Sequence, residues 1–256
     1  MSSPAPARAV TEGRWATAQR LERHDWRTIP NIVAEEWTEL TAKFGSLFPR
    51  IARDVELRPD SSVLDVGCGP TVPARLLGTG QVTGIDPLAD SLGISGTHAV
   101  PGVTIVNGKG EFLPFPEGSF DLVVCRNAID HTQDPAAVMR EVRRVLKDGG
   151  HLLLFCYVYA PFVTWLKRTS ERLGAFHNLE HPHTYTPVML EALSDGLFDL
   201  VDRFTIHTGQ HSTDYGKVGH IAPDPSRLHR VITWVNRVVI GSPYFLKEYG
   251  YRARKR

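Results

Sequence analysis

Cysteine is scarce in this chain. There are three in 256 residues, Cys68, Cys125 and Cys156, without the spacing of a metal site. They read as small buried thiols in a reducing setting. No apolar run is long enough to span a bilayer. The start, Met1 to Val10, is rich in Ser, Pro and Ala and lacks the apolar core of a signal peptide. These absences predict a cytoplasmic protein with an unstructured beginning. Net charge is also nearly missing: 29 Lys and Arg against 28 Asp and Glu leave +1. No global field therefore draws the chain to nucleic acid or to an acidic surface. No internal repeat is visible. What is present is an ordinary globular composition, 42% apolar and 22% charged, at a length that suits one α/β domain with additions.

The chain is organised around Val63-Leu64-Asp65-Val66-Gly67-Cys68-Gly69-Pro70. A short apolar run opening on Ser61-Ser62 reads as a buried strand of a parallel sheet. It ends in Gly67-Cys68-Gly69, where the backbone can turn sharply and a ligand can approach the main chain. The start of a helix then offers free N–H groups. A dinucleotide fold wants a third Gly three residues on; Val72 stands there. Asp65 would repel a pyrophosphate but suits a cationic ligand carrying an ammonium and a sulfonium, as S-adenosylmethionine does. About twenty residues later Gln81 to Asp86 reads as the next strand, ending in Asp86-Pro87. A carboxylate there can accept hydrogen bonds from both hydroxyls of a ribose. Read as an exposed strand-end group, Asp86 should be replaceable by Ala with little loss of folding.

The Asp65-x-Gly67-x-Gly69 pattern resembles motif I of the class I S-adenosylmethionine-dependent methyltransferases. Gly108-Lys109-Gly110-Glu111-Phe112-Leu113-Pro114-Phe115, with Ser119-Phe120-Asp121 after it, resembles the ubiquinone/menaquinone-biosynthesis-like (type 11) branch of that family. So does the block from Glu141 to Phe155, with Asp148 at the usual Pro position. One departure stands out: the family usually has Asp where this chain has Lys109, and that Asp accepts the adenine amino proton. Lys109 has only donors, so either backbone around Gly110 and Glu111 holds the adenine or the loop register differs. The resemblance implies S-adenosylmethionine as cofactor, held by Asp65, Gly67, Cys68, Gly69, Asp86, Pro87, Gly110, Glu111 and Asn127.

The fold so implied is α/β: a Rossmann-like, seven-stranded, mostly parallel sheet with helices on both faces. An N-terminal helical extension and an insertion after strand five are added to it. Residues 1–54 form the unstructured start and helical lid, 55–224 the core with an insertion at about 158–185, and 225–256 a helix and basic tail. The apolar stripe Val33, Trp37, Leu40, Phe44, Leu47 and Ile51 predicts one amphipathic helix. The resemblance puts it over the pocket mouth; packing against the sheet edge fits the stripe equally well. Strands four and five are expected at Phe120 to Cys125 and His151 to Phe155. The helix between them opens at Asp134-Pro135 and closes at Gly149-Gly150. Val218 to Ala222 is expected as the antiparallel strand completing the sheet, followed by a helix from Pro225 and a solvated tail, Tyr251 to Arg256.

The loop after strand four, Arg126 to His131, should face both donor and acceptor, because ligands bind outside the carboxyl ends of parallel strands. His131 is the expected general base and Asp130 its orienter or a substrate contact; a loop-capping His fits as well. His177, His181 and His183 form a second group over the pocket. No carboxylate or Cys completes a convincing ligand set for them, so no metal is expected. Asn127-Ala128-Ile129-Asp130 lacks the prolines and stacking aromatic used on nucleic-acid bases. The acceptor is then a small molecule (sugar, polyketide, quinone precursor or lipid-like) with an O, C or N nucleophile. No nucleic-acid partner and no stable membrane insertion are expected, beyond weak surface contact through the basic tail. Two alternatives remain open: a non-catalytic partner protein on the same fold, and an NAD(P)-dependent oxidoreductase.

Overall fold

A computed structural model describes residues 9–29, 31–96, 100–172, 181–206 and 246–256. The expected unstructured residues 1–8, His177, the strand at Val218 to Ala222 and the helix from Pro225 lie outside these.

Three helices come first: α1 (Glu12–Thr28), α2 (Ile32–Phe44) and α3 (Leu47–Asp54). The single helix expected from the apolar stripe is thus two, broken at Gly45-Ser46, so the aligned side chains come from separate elements. The strands follow as β1 (Ser62–Val66), β2 (Gln81–Asp86), β3 (Val103–Asn107), β4 (Phe120–Arg126), β5 (Leu146–Tyr159), β6 (Phe198–Ile206) and β7 (Leu246–Lys255). Between them lie a 3-10 helix at Pro73–Leu77, then α4 (Ala89–Leu92), α5 (Pro135–Val145), α6 (Pro161–Arg172) and α7 (Pro187–Glu191). The sheet order is β3-β2-β1-β4-β5-β7-β6, parallel up to β5 and antiparallel for β7 and β6. The order reverses between β1 and β4, which puts the ligand crevice of such a sheet at their carboxyl ends.

Period-two alternation on β4 and β5 builds a core on each face. Leu122, Val124, Leu153 and Phe155 meet Leu40, Phe44, Phe48 and Ile51 from α2 and α3. Val123, Cys125, Leu152 and Leu154 meet Val138, Met139, Val142 and Val145 from α5. Asp134 caps α5 by accepting from the Ala136 and Ala137 N–H groups at 3.0 and 3.2 Å. That helix stops at Val145, short of Gly149-Gly150, because Leu146 already pairs with Phe120 in the sheet.

The basic tail is corrected most. Leu246–Lys255 is an inner strand, lying between β5 and β6. Tyr251 and Ala253 are wholly buried. A side chain at Gly250 would collide with the Phe155 ring, so only glycine fits there. The tail's charges all find partners within the chain, Arg252 and Lys255 under cover and Arg254 and Arg256 at the surface. Arg252 donates to Asp202 at 2.8 Å, Lys255 to the Leu146 carbonyl at 2.7 Å, and Arg256 to Asp199 at 2.6 Å. Arg254 donates to the Gly149 carbonyl at 3.3 Å. Of the cations expected to touch a membrane surface, Arg254 and Arg256 stay exposed, while Arg252 and Lys255 are covered. No helix among the described residues is long and apolar enough to cross a membrane.

Removing Leu246 to Arg256 is expected to abolish the cooperative thermal transition, because it strips the hydrogen-bond partner from both β5 and β6. Tyr251→Ala alone should cost about 3–5 kcal/mol, read as a lowered Tm by circular dichroism. A truncated chain melting like the full one would refute the strand assignment.

Candidate functional site

The residues expected from sequence meet at the carboxyl ends of β1, β2 and β4, with unequal roles. Gly67 and Gly69 both have left-handed backbone, φ +68° and +50°. A Cβ on Gly67 would overlap the Ala128 Cβ, so this glycine lets the loop after β1 press against the loop after β4. The Gly67 N–H donates to the Ile85 carbonyl at 2.8 Å, locking the turn onto β2. Cys68 turns its side chain down toward Gly84 and is 1% exposed. Only its backbone remains for a ligand, and burial pushes its thiol pKa well up.

Asp65 is fully buried beneath the loop, and its Oδ2 accepts from the Ala74 N–H at 2.7 Å. It organises the turn into the 3-10 helix; the expected direct face toward a cationic ligand is not what the geometry gives. Its Oδ1 has no hydrogen-bond partner among the described residues. Burial pushes its pKa up to about 7, against the pull of the Ala74 N–H and Arg126. Val72, standing where a dinucleotide fold has its third glycine, is forced into left-handed backbone at φ +46°. That is a strained state for a β-branched residue.

Asp86 is also buried, at 9% exposure, which corrects the picture of an exposed carboxylate. Its Oδ2 accepts from the Gly69 N–H at 3.0 Å and its Oδ1 from the Leu88 N–H at 2.8 Å. Burial raises its pKa against those two bonds. One carboxylate thus ties the glycine loop to α4, past half-buried Pro87. Each oxygen keeps a second lone pair.

Gly110 packs over the Val66 and Val138 side chains. Glu111 is turned inward: its Oε1 accepts from the Gln133 and Asp134 N–H groups at 2.6 and 3.1 Å. Its carboxylate therefore braces the start of α5, and only its backbone is left for a ligand. Lys109 has a different task from the family's Asp. Its ammonium stacks on the Trp15 ring at 3.6 Å and lies 3.7 Å from Glu12, both on α1. The substitution fastens α1 across the strand ends. Trp26, further along α1, lies against Gly69, and Gln19 donates to the His131 carbonyl at 3.4 Å. Trp26 and Glu22 belong to this crevice without any motif marking them; the only signal in sequence is their place in the aromatic, charged segment Trp15 to Trp26.

Asn127 has left-handed backbone, φ +48°. Its Nδ2 donates to Glu248 of β7 at 3.4 Å, and its Oδ1 is buried with no hydrogen-bond partner among the described residues. Glu248, wholly buried, also accepts from Arg126 Nε at 2.8 Å. The tail strand therefore fixes the end of β4.

Asp130 and His131 follow on a single 3-10 turn, Ile129–His131. The carboxylate reaches a different imidazole from the one expected. Asp130 Oδ2 lies 2.8 Å from His181 Nδ1 and 4.0 Å from His131 Nε2. The His131 and His181 rings stand 4.4 Å apart by their centroids. Burial pushes the Asp130 carboxyl up, but the two imidazoles outweigh it and hold it well below the usual range. The same carboxylate raises the His181 pKa against burial. Across the crevice Glu22 lies 4.0 Å from His131 Nδ1. His183 is apart, with Nε2 at 2.9 Å from the Thr132 carbonyl, and serves the loop. A hollow of about 510 Å³ between α3 and β6, lined by Arg50, Arg53, Arg203 and neighbours, contains none of the expected residues.

Residues 64–154 match the family described as "Methyltransferase domain". Over 115 residues the chain is 35% identical to the uncharacterized methyltransferase YcgJ of Bacillus subtilis, covering 43% of this chain and 45% of the relative. The crystal structure of YcgJ superposes with a TM-score of 0.57 at 25% identity, covering 82% of this chain and 97% of YcgJ. A ubiquinone biosynthesis O-methyltransferase of Serratia proteamaculans is 30% identical over 162 residues, 58% of this chain and 66% of that enzyme. The chain spans about half the length of the curated relatives it matches.

Asp86→Ala is expected to lower stability by about 2 kcal/mol or more, leaving two buried N–H groups without acceptors. Denaturant unfolding unchanged from wild type would contradict this. Asp65→Asn keeps an acceptor for Ala74 while removing the charge. A carboxyl raised from the ordinary range to about 7 contributes stability in full below about pH 4, and that contribution is lost as the pH climbs to 7. The Tm difference, variant minus wild type, should therefore grow between those limits and then level off. A difference independent of pH would show that Asp65 ionises normally.

Proposed function

Because this chain carries a class I S-adenosylmethionine-dependent methyltransferase domain, we propose that it transfers a methyl group to a small-molecule acceptor lying over Asp130, His131 and His181. The observation that carries this is the meeting, at the carboxyl ends of β1, β2 and β4, of a left-handed glycine loop, the Asp86 carboxylate and that polar cluster.

The residues fit the cofactor. Backbone at Gly67, Cys68 and Gly69 allows close approach. Asp86 retains a lone pair on each oxygen for the ribose hydroxyls, beside Pro87. Backbone of Gly110 and Glu111 takes the adenine in place of the family's Asp, and Asn127 Oδ1 is free to accept from the donor's amino group. Asp65 acts beneath, holding the loop. When bound, S-adenosylmethionine supplies an electrophilic methyl group on a good leaving group. The chain's own work is alignment and exclusion of water, and α1 lies across the crevice for the second task. Proton handling, expected of His131 oriented by Asp130, passes to the pair Asp130–His181, with His131 beside it. No nucleic-acid partner is implied, and the cytoplasm is the setting that suits three buried free thiols.

Calorimetric titration should give saturable binding of S-adenosylmethionine and none of NADH; the reverse would replace this reading by an oxidoreductase. With labelled cofactor and a metabolite extract, His131→Ala and His181→Ala should each lower labelling by about 10²–10⁴-fold, with cofactor affinity nearly unchanged. Equal losses in both would make them pocket walls, and no labelled product from wild type would favour the non-catalytic alternative.

A further inference from the structure

We propose that Asp130, His131 and His181 form a binding site for one divalent transition-metal ion. The sequence offered two separate groups, Asp130-His131 after β4 and the histidines near residue 181, neither of them a convincing ligand set alone. The fold joins them. One ligand atom from each of the three residues lies within 4.8 Å of the other two. Asp130 Oδ2 to His181 Nδ1 is 2.8 Å and to His131 Nε2 is 4.0 Å. Bonds of about 2.1 Å to a common centre require separations of about 3.0–4.2 Å between ligand atoms. The two Asp130 separations lie in or just below that range and the third pair lies within 4.8 Å, so closing on one centre takes side-chain shifts of about half an ångström.

The surroundings support the assignment. The Asp130 side chain is 7% exposed. No N–H or hydroxyl donor among the described residues reaches its Oδ1; the buried Cys156 thiol beside it is a weak hydrogen-bond donor to this carboxylate. His131 Nδ1, pointing away from Asp130, is unpartnered and faces Glu22 at 4.0 Å. Metal-bound imidazoles commonly offer their far nitrogen to an acid in this way. Two imidazoles and one carboxylate select a first-row ion such as zinc, cobalt, manganese or iron over magnesium or calcium, which prefer all-oxygen sets. Three ligands from the chain leave coordination positions open for an acceptor oxygen, whose proton is then released more easily to solvent; with the ion bound, His131 and His181 act as its ligands in place of the base role proposed for them in its absence. This last consequence rests on the methyltransferase reading; binding of the ion does not.

The test uses full-length protein without a polyhistidine tag, stripped with a chelator and titrated with Co²⁺ by calorimetry and visible absorption. The site predicts one equivalent bound with Kd of about 10 µM or tighter, with ligand-field bands showing nitrogen and oxygen ligands. His131→Gln and His181→Gln should each weaken binding by about tenfold or more. Circular dichroism is the control: replacing these two partly exposed residues should leave the spectrum of wild type, which the buried Asp130→Asn need not. No saturable binding, or the same affinity in both variants, would overturn the site. S-adenosylmethionine titrated into the same stripped protein reports on the methyltransferase reading separately. Cofactor binding without cobalt binding removes the metal site alone.

Discussion

Everything in the crevice depends on how closely the loop after β1 approaches the loop after β4. Gly67 carries no side chain where Ala128 arrives, and two buried carboxylates hold the surrounding backbone. Asp65 grips Ala74 from below; Asp86 grips Gly69 and Leu88 from the side. Burial opposes the ionised form of both. The fold tolerates that opposition, together with left-handed backbone at Val72 and Asn127, in one small region. Strain and desolvation gathered at a ligand-facing turn are what pre-organised sites commonly show.

The tail is part of the same construction. Glu248, wholly buried on β7, holds Arg126 and Asn127 at the end of β4. Lys43 of α2 lies 3.7 Å from its other oxygen. A buried ion pair of this kind adds little net stability but fixes geometry, since losing either partner strands a charge. The last strand therefore aims the loop that carries Asp130 and His131. At the opposite side Lys109 and Trp26 lay α1 over the crevice. The substitution that weakened the expected adenine contact thus acquires a positioning role.

The parallel half of the sheet was legible because its signals are local. Apolar runs ending in Gly67-Cys68-Gly69 and Asp86-Pro87 name β1 and β2, and Asp134-Pro135 names the start of α5. What a side chain does once the strand is placed was not legible. Asp65, Asp86 and Glu111 turned inward to brace backbone, and Cys68 to fill the space beside Gly84; nothing in a linear pattern separates an acid facing a ligand from one facing a buried N–H. Contacts distant in sequence were hidden for the same reason, Asp130 with His181 among them, 51 residues apart. The tail did carry a signal. Glu248, Tyr249, Gly250, Tyr251, Arg252, Ala253 and Arg254 include an alternation of aromatic or small residues with charged ones, the period of a strand, but its basic composition suggested a solvated end.

The most direct test of this account is a crystal structure grown with S-adenosylhomocysteine. The account predicts the ligand over Gly67–Gly69, with its ribose hydroxyls on Asp86 and Asp65 still bonded to the Ala74 N–H. A ligand lodged elsewhere, or an Asp65 carboxylate swung out to touch it directly, would contradict it.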